Sequence, residues 1–388
     1  MNRRKFLSVS ALAGAGAMIV PDLTMASSSA NKEKKEKFPT RKLGKTGMKL
    51  PILSMGVMRA DNPAVVRAAY NAGITHFDTA NGYQNGRNEE MLGAFFKDKD
   101  RKSFTIATKG KAKLSSETFE ADYEELLNTS LRRLQMDYVD IYFAHGIDNL
   151  EDFTNPRMIK VLKKFKDSGR VRHIGFSTHA NKPAQIDEAI KAGIFEVCLL
   201  SYNFKLGVLP ELNAALQRGV KAGMGFIAMK TMAGGVEDET GKKTVDGAAC
   251  LRWAWQNPNI TTAIPGFTSF DLLDNCLEAA RRPQLDEKDK KYLAYLSDKE
   301  LLYCQNCEKC VSDCRKHLPI PTIMRAYMYN YGYKQALLSK ETLTELALSN
   351  NTCSDCISCT VKCPSGFKVA DKIAAITPIV NVPSYFLT

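Results

Sequence analysis

Eight short apolar runs, each followed by an amphipathic stretch, occupy the chain from about residue 50 to residue 283, and this alternation limits its possible folds more than any other feature. The runs are 52–58, 75–79, 104–108, 138–144, 171–176, 197–201, 225–229 and 261–264. Stretches with helical spacing lie at 63–72, 88–97, 117–134, 156–166, 184–192, 211–222, 245–256 and 270–280. Three of them close on Ala-Gly, at 72–73, 192–193 and 222–223, where the glycine can take the positive φ that ends a helix. Runs that are apolar throughout, and separated by helices, describe strands buried on both faces of a parallel sheet. Eight such units over residues 39–283 fit a (β/α)8 TIM barrel. A doubly wound open sheet would need a phosphate loop after an early strand, and no Gly-x-Gly-x-x-Gly follows any of the runs.

The 388 residues leave room for more than the barrel. With 44% hydrophobic and 25% charged residues, the composition is that of folded globular domains and excludes disordered, collagen-like and coiled-coil chains. The formal charge of +12 raises the question of nucleic acid. The basic residues, however, fall on what read as outer helix faces (Arg132, Arg133, Lys160, Lys163, Lys164, Lys166) without interleaved aromatics. The expectation is a solvated basic surface and no nucleic-acid partner.

Residues 1–30 have the layout of an export signal: Arg3 and Arg4 at the head, an Ala/Gly-rich apolar stretch from Ala11 to Val20, then Thr24-Met25-Ala26. The segment resembles a bacterial twin-arginine (Tat) signal. That resemblance implies the Tat machinery as a partner, export of an already folded protein, and a periplasmic or otherwise exported location. The uncharged run 6–20 is shorter than the roughly 20 residues of a bilayer span, so no integral membrane segment is expected in the mature chain. Residues 31–38, mostly Lys and Glu, read as a solvated linker.

In a barrel of this kind the chemistry sits at the C-terminal strand ends. Asp78 ends the second run, with Tyr83 in the loop behind it; the third run leads into Lys109 and the fourth into His145. A carboxylate, a phenol, an ammonium and an imidazole leaving three adjacent strands at one end suit proton transfer at a small oxygen centre. An ammonium beside a phenol is expected to lower the phenol's pKa from near 10, making Tyr83 a usable acid, with Asp78 holding Lys109 by charge. Gly73-Ile74-Thr75-His76-Phe77-Asp78-Thr79-Ala80, then Tyr83, then Asn88-Glu89-Glu90-Met91-Leu92-Gly93 resembles the signature of the aldo-keto reductases. Residues 105–109 and 137–145 resemble the lysine and histidine segments of that family. The resemblance implies that Asp78, Tyr83, Lys109 and His145 form a catalytic tetrad, that Tyr83 is the general acid, and that hydride passes between a nicotinamide and a small carbonyl or alcohol.

The same resemblance points to cofactor contacts at Ser177, Met229, Lys230, Gly266 and Asn275. Three departures from the family accompany it: Thr178 replaces an Asn, Leu199 a Gln, and Met229-Lys230 a Tyr-Ser pair. No Lys or Arg lies within 267–273, where family members that prefer NADP carry a cation, so the cofactor is expected to be NAD or NADP with a slight lean to NAD.

Eight of the eleven cysteines lie beyond residue 300. Cys304-x-x-Cys307-x-x-Cys310-x-x-x-Cys314 and Cys353-x-x-Cys356-x-x-Cys359-x-x-x-Cys363-Pro364 repeat the bacterial ferredoxin spacing for two [4Fe-4S] clusters. Four-thiolate zinc and, in an exported protein, disulfides are the alternatives. Whether the fourth cysteine of each run serves the other cluster, as in two-cluster ferredoxins, is not settled by spacing. Residues 320–348 read as helical with a break at 330–332, so residues 284–388 are expected to form a small, mainly α-helical ferredoxin-like domain. Together the halves suggest an exported oxidoreductase whose cluster domain sits beside the barrel mouth, with a redox protein as a further partner. The other class open to it is an iron–sulfur electron-transfer protein whose barrel is only a scaffold or a binding module.

Overall fold

A computed structural model describes residues 37–387 apart from 148, 235, 238–242, 245, 300–301, 350–351, 354–355, 357 and 365. The expected signal segment and all but the end of the linker lie outside the described residues. An antiparallel hairpin of β1 (Thr40–Lys42) and β2 (Lys49–Pro51) comes first. The barrel strands follow as β3 (Met55–Gly56), β4 (His76–Asp78), β5 (Thr105–Gly110), β6 (Val139–Ala144), β7 (Val171–Thr178), β8 (Val197–Ser201) and β9 (Gly225–Met229). A small hairpin of β10 (Val236–Glu237) and β11 (Lys243–Thr244) then precedes β12 (Ile260–Ala263). The eight barrel strands pair in parallel in the order β12-β9-β8-β7-β6-β5-β4-β3. Parallel bridges Leu53↔Ala263 and Gly56↔Gly266 carry the sheet round to its start, giving the nearly closed (β/α)8 barrel. The first strand is shorter than the run 52–58 suggests. At the seam with β12 it is held by isolated bridges and scattered bonds such as Ser54 N to Ala263 O (2.9 Å) and not by a continuous ladder.

The outer helices are α1 (Pro63–Asn71), α2 (Arg87–Phe96), α3 (Phe119–Leu134), α4 (Pro156–Asp167), α5 (Lys182–Ala192), α6 (Leu209–Ala222), α7 (Gly247–Trp255) and α8 (Phe270–Arg281). Gly193 and Gly223 cap α5 and α6 at φ 70° and 100°, the left-handed conformation expected of them. Apolar residues of the helices and the outward faces of the strands make the main core, while Ala107, Ile141, Phe143, Val197, Leu199, Ile227 and Ile264 fill the barrel. Leu43 and Leu50 of the first hairpin join that inner cluster. Of the basic residues assigned to outer faces, Arg133 is an exception. It turns inward, donating to Asn81 O (2.9 Å) and pairing with buried Glu89 (3.4 Å).

Beyond the barrel, α9 (Glu287–Ser297) packs on α7 through the Arg252–Asp289 pair (3.0 Å) and a hydrogen bond from Asp246 N to Tyr292 Oη (2.7 Å). The rest of the C-terminal region has its own core around Ile320, Ile323, Met324, Leu343, Ile373 and Ile376, built from α10 (Ile320–Tyr327), α11 (Ala336–Thr344) and α12 (Val369–Ile376). The break expected at 330–332 is a π-helical turn, Met328–Gly332. No helix among the described residues is long and apolar enough to cross a membrane.

Candidate active site

The strand ladder continues past the strand ends and sets the site. Thr79 N bonds Ala107 O (2.8 Å), Asn81 N bonds Lys109 O (2.9 Å) and His145 N bonds Gly110 O (2.9 Å), so the residues leaving β4, β5 and β6 stay in register at the rim. Lys109 Nζ donates to Asp78 Oδ1 at 2.5 Å and to Thr79 O at 2.6 Å, and both charged residues are almost fully buried. The ammonium lies 5.0 Å from the centre of the Tyr83 ring, and that ring meets His145 edge-on at 6.0 Å between centroids. All four expected residues therefore share one place at the barrel mouth.

The loop bearing Tyr83 is anchored by its neighbours in sequence. Gln84 and Asn85 hold left-handed backbone (φ 51° and 55°), and Gln84 Nε2 donates to Met58 O and Ala60 O. Asn88 donates to Val57 O (2.7 Å) and accepts from Thr79 Oγ1, while Glu89 accepts from Thr108 Oγ1 (2.6 Å). These buried contacts account for Asn88 and Glu89 in the signature without giving either a chemical role.

The electrostatics depart from expectation in one respect. Tyr83 is not pulled down: burial, then the charge of Asp78, then Tyr329 and Tyr333, push its pKa well above the ordinary phenol value. The physical reason is that the Lys109 ammonium is spent on Asp78 and a carbonyl oxygen, which leaves little positive field for a phenolate. Burial and the positive charge of Lys109 hold His145 down to about 3, so its ring is neutral at physiological pH.

Tyr329 and Tyr333 belong to the C-terminal region, which is seated on the rim. Arg59, after β3, lies 5.0 Å over the Tyr333 ring; Lys111, after β5, pairs with Glu345 (2.9 Å). Asn203, after β8, donates to Gln305 Oε1 (3.0 Å), and Gln305 donates to Ala233 O (3.0 Å). Arg325 of α10 acts electrostatically on His145. The sequence carries no signal for Arg325, Tyr329 or Tyr333, because their proximity to the tetrad arises only from folding.

The expected nicotinamide contacts scatter more. Ser177 is buried at the end of β7, accepting from Gly146 N (3.0 Å). Lys230 follows β9 with φ 55°, and burial, with Arg325 and Lys182 nearby, draws its pKa down to about 7. Met229 borders the inner barrel cluster. Gly266 and Asn275 are exposed where the chain leaves β12 and enters α8. Leu199 points into the barrel core, where it has no polar atom to offer. Ser177, Lys230 and Gly266 lie at or just past the C-terminal ends of β7, β9 and β12 and, with Asn275 of α8, are the residues that would hold a dinucleotide, while Leu199 of β8 offers it no amide. Two cavities are lined by no tetrad residue, one of about 400 Å³ beside Thr46 and Arg172 and one of about 720 Å³ beside Arg67, Met91 and Gln84 of the Tyr83 loop.

The cysteines of the two runs are grouped by space, not by sequence. Cys304 has Cys307, Cys310 and Cys363 as its thiol neighbours; Cys353 has Cys356, Cys359 and Cys314. Each trio is thus completed by the fourth cysteine of the other run. All eleven cysteines are unbridged, and among the described residues no three His, Cys, Asp or Glu close on the geometry of a single ion. Burial pushes Cys304 up to about 12 and Cys310 to about 11, so thiolates there require a bound cation. Soft thiol sets of this make-up suit iron–sulfur clusters, with Cys304, Cys307, Cys310 and Cys363 holding one and Cys353, Cys356, Cys359 and Cys314 the other; bound, they would supply one-electron chemistry.

Comparison with known proteins agrees with this architecture. Residues 42–248 match the model of the Aldo/keto reductase family, and residues 303–368 match that of the 4Fe-4S dicluster domain. A Glycine max protein named "Probable aldo-keto reductase 1" is 25% identical over 299 residues, covering 64% of this chain and 86% of its own length. L-galactose dehydrogenase of Arabidopsis thaliana is 33% identical over 156 residues, 36% of this chain and 49% of the plant enzyme. L-glyceraldehyde 3-phosphate reductase of Escherichia coli is 28% identical over 174 residues, 40% of this chain and half of that enzyme. The solved holo form of an aldo-keto reductase from Bacillus halodurans superposes with a TM-score of 0.56 at 22% identity, covering 70% of this chain and all of that one, a likeness of fold. A barrel matched over more than half the chain and a dicluster domain behind it identify an oxidoreductase: the chain belongs to the aldo/keto reductase family, with a C-terminal 4Fe-4S domain.

Proposed function

We propose that the protein interconverts a small carbonyl compound and its alcohol, with Tyr83 moving the proton at the substrate oxygen. The observation that carries this reading is the buried Asp78–Lys109 pair at 2.5 Å with the Tyr83 ring 5.0 Å from the ammonium. Lys109, held by Asp78 and Thr79 O, packs its ammonium against the Tyr83 ring without lowering the phenol's pKa, so Tyr83 is protonated and ready to give up its proton. His145, neutral and edge-on to Tyr83, offers a ring N–H to the substrate oxygen and orients it without adding charge. The C-terminal region sits over the mouth, with Tyr329 and Tyr333 near the phenol, and leaves Tyr83 and His145 half-buried. A nicotinamide bound along Ser177, Lys230, Gly266 and Asn275 would supply or take the hydride, NAD being favoured by the lack of cations in 267–273. Two [4Fe-4S] clusters and a redox partner protein belong to the same reading. So does Tat export to the periplasm, which rests on Arg3 and Arg4, and which replacing both by Lys should abolish in a fractionation assay.

Tyr83→Phe tests the core of the reading. Loss of a positioned general acid costs about 10² to 10⁴ in kcat. Steady-state turnover of the iron-loaded variant, at unchanged iron content, should fall in that range; a variant with full activity would refute Tyr83 as the proton carrier.

A further inference from the structure

The barrel mouth gathers more basic side chains than proton transfer at Tyr83 uses, although burial holds the two imidazoles neutral. Lys109 is neutralised by Asp78, but His145, His179, Lys182, Lys230 and Arg325 gather above it within electrostatic reach of one another. They arrive from separate elements: the turn after β6, the segment that joins β7 to α5, the end of β9, and α10 of the cluster-bearing region. Two of the five have a role without any ligand. Lys182, 1% exposed, donates to His179 O (3.2 Å) and faces Glu308, Cys304 and Cys307, and His145 belongs to the tetrad.

That leaves His179, Lys230 and Arg325. Arg325 Nη1 and His179 Nδ1 are closed off from solvent and make no hydrogen bond. Burying polar nitrogens without partners costs their full desolvation, and a fold keeps such groups where something else satisfies them. Lys230 stands in left-handed backbone, its carbonyl pinned by Asn203 Nδ2 (3.1 Å), a strained placement of the kind that clusters at ligand clamps. Arg325 is fixed from outside by the seating of its own region on Arg59, Lys111 and Asn203. A guanidinium, a lysine amine and an imidazole converging in a half-buried site, with Arg325 Nη1 and His179 Nδ1 shut off from solvent, are the chemistry of oxyanion recognition.

We propose that Arg325 and His179, bordered by Lys230 where the nicotinamide contacts begin, form an oxyanion subsite beside the tetrad, and that the substrate is a carbonyl or alcohol compound carrying a carboxylate or phosphate near the reacting carbon. This rests on the Tyr83 reading for where the reacting carbon lies. The anion belongs to the substrate, not to the diphosphate of a dinucleotide, because Arg325 also acts on His145, which orients the substrate oxygen. The subsite is complete only when the C-terminal region is seated, which makes that region part of substrate selection.

The test uses the full, iron-loaded chain in three arms. Calorimetric titration with oxalate and with inorganic phosphate should show one of the two binding at a single site, weakened about 10- to 100-fold in Arg325→Gln and partly restored in Arg325→Lys. The ratio of kcat/KM between paired substrates, succinic semialdehyde against butanal and glyceraldehyde 3-phosphate against glyceraldehyde, should favour one charged member and fall by a similar factor in Arg325→Gln. NADH affinity, read by fluorescence, should not follow that loss. Absence of anion binding, an unchanged ratio, or a loss of NADH affinity that matches the loss of anion affinity would each overturn the proposal. If Arg325→Gln loses its iron, wild-type anion binding and the wild-type ratio decide it: both present support it, both absent refute it. Anion binding without turnover of any carbonyl would sink the Tyr83 reading and leave the subsite. Turnover of neutral and charged substrates alike would do the reverse.

Discussion

His76 shares β4 with Asp78 and is fully buried, with Nδ1 on Thr105 Oγ1 at 2.8 Å and Nε2 without a hydrogen-bond partner. Burial, and secondarily the positive charge of Lys109, hold it down to about 3. The folded value lies below the unfolded one of about 6.5, so as pH falls the unfolded chain takes the proton first. The neutral ring is therefore compatible with full stability above about pH 6.5, and stability declines from there towards about pH 3 with a slope of about 1.4 kcal/mol per pH unit. Urea unfolding of wild type and His76→Gln at about pH 7 and about pH 5 should show wild type losing about 2 kcal/mol more than the variant over that interval. Equal losses would mean the ring is protonated in the fold. Tyr83, Lys109, Asp78 and His145 were legible in the sequence because strand periodicity places them at one rim. The pKa of Tyr83 was not, since which partner takes up the Lys109 charge depends on distances of about 3 Å that spacing does not encode.

The helix behind Tyr83 shows how much of a signature is packing. Gly93 lies on α2 where an added Cβ would stand 2.3 Å from Arg133 O and 2.8 Å from the Leu134 carbonyl carbon at the end of α3. Backbone cannot yield as a side-chain tip can, so Gly93→Ala must push the two helices apart. Overpacking of this kind costs about 1–3 kcal/mol, read as a lower denaturation midpoint at unchanged m-value. A shift of α2 also strains Asn88 and Glu89, so the turnover of Gly93→Ala should fall although the alanine touches no substrate; unchanged midpoint and turnover would contradict the close approach. At this scale the eight strands and eight outer helices were visible in the pattern because each is apolar in its own period. The β1–β2 hairpin was not, because three-residue strands carry too few positions to show a period, and neither was α9, whose charged sequence hides a narrow face of Leu293 and Leu296.

Over the whole molecule, the thiol grouping ties the two ends of the C-terminal region together. Cys363 is 49 residues beyond Cys314 yet stands with Cys304, Cys307 and Cys310, and Cys314 stands with Cys353, Cys356 and Cys359. The sequence could not choose between straight and crossed sets because both satisfy the same spacing. The trio completed by Cys363 is the one beside the barrel: a Cβ at Gly207 would come within 3.8 Å of Cys307, and Lys182 faces Cys304 and Cys307. A ligand lost there should disturb the rim as well as the metal, because metal binding and folding of such a site are coupled. Cys363→Ser and Cys314→Ser should each lose about half the iron, but with different consequences. Cys363→Ser should loosen the contacts of Gln305 and raise KM for substrate, whereas Cys314→Ser should leave the barrel-side site and its KM near wild type. If the sets were straight, Cys314→Ser would be the variant that disturbs the mouth, so iron content read together with KM in the two variants decides how the chain crosses between its clusters.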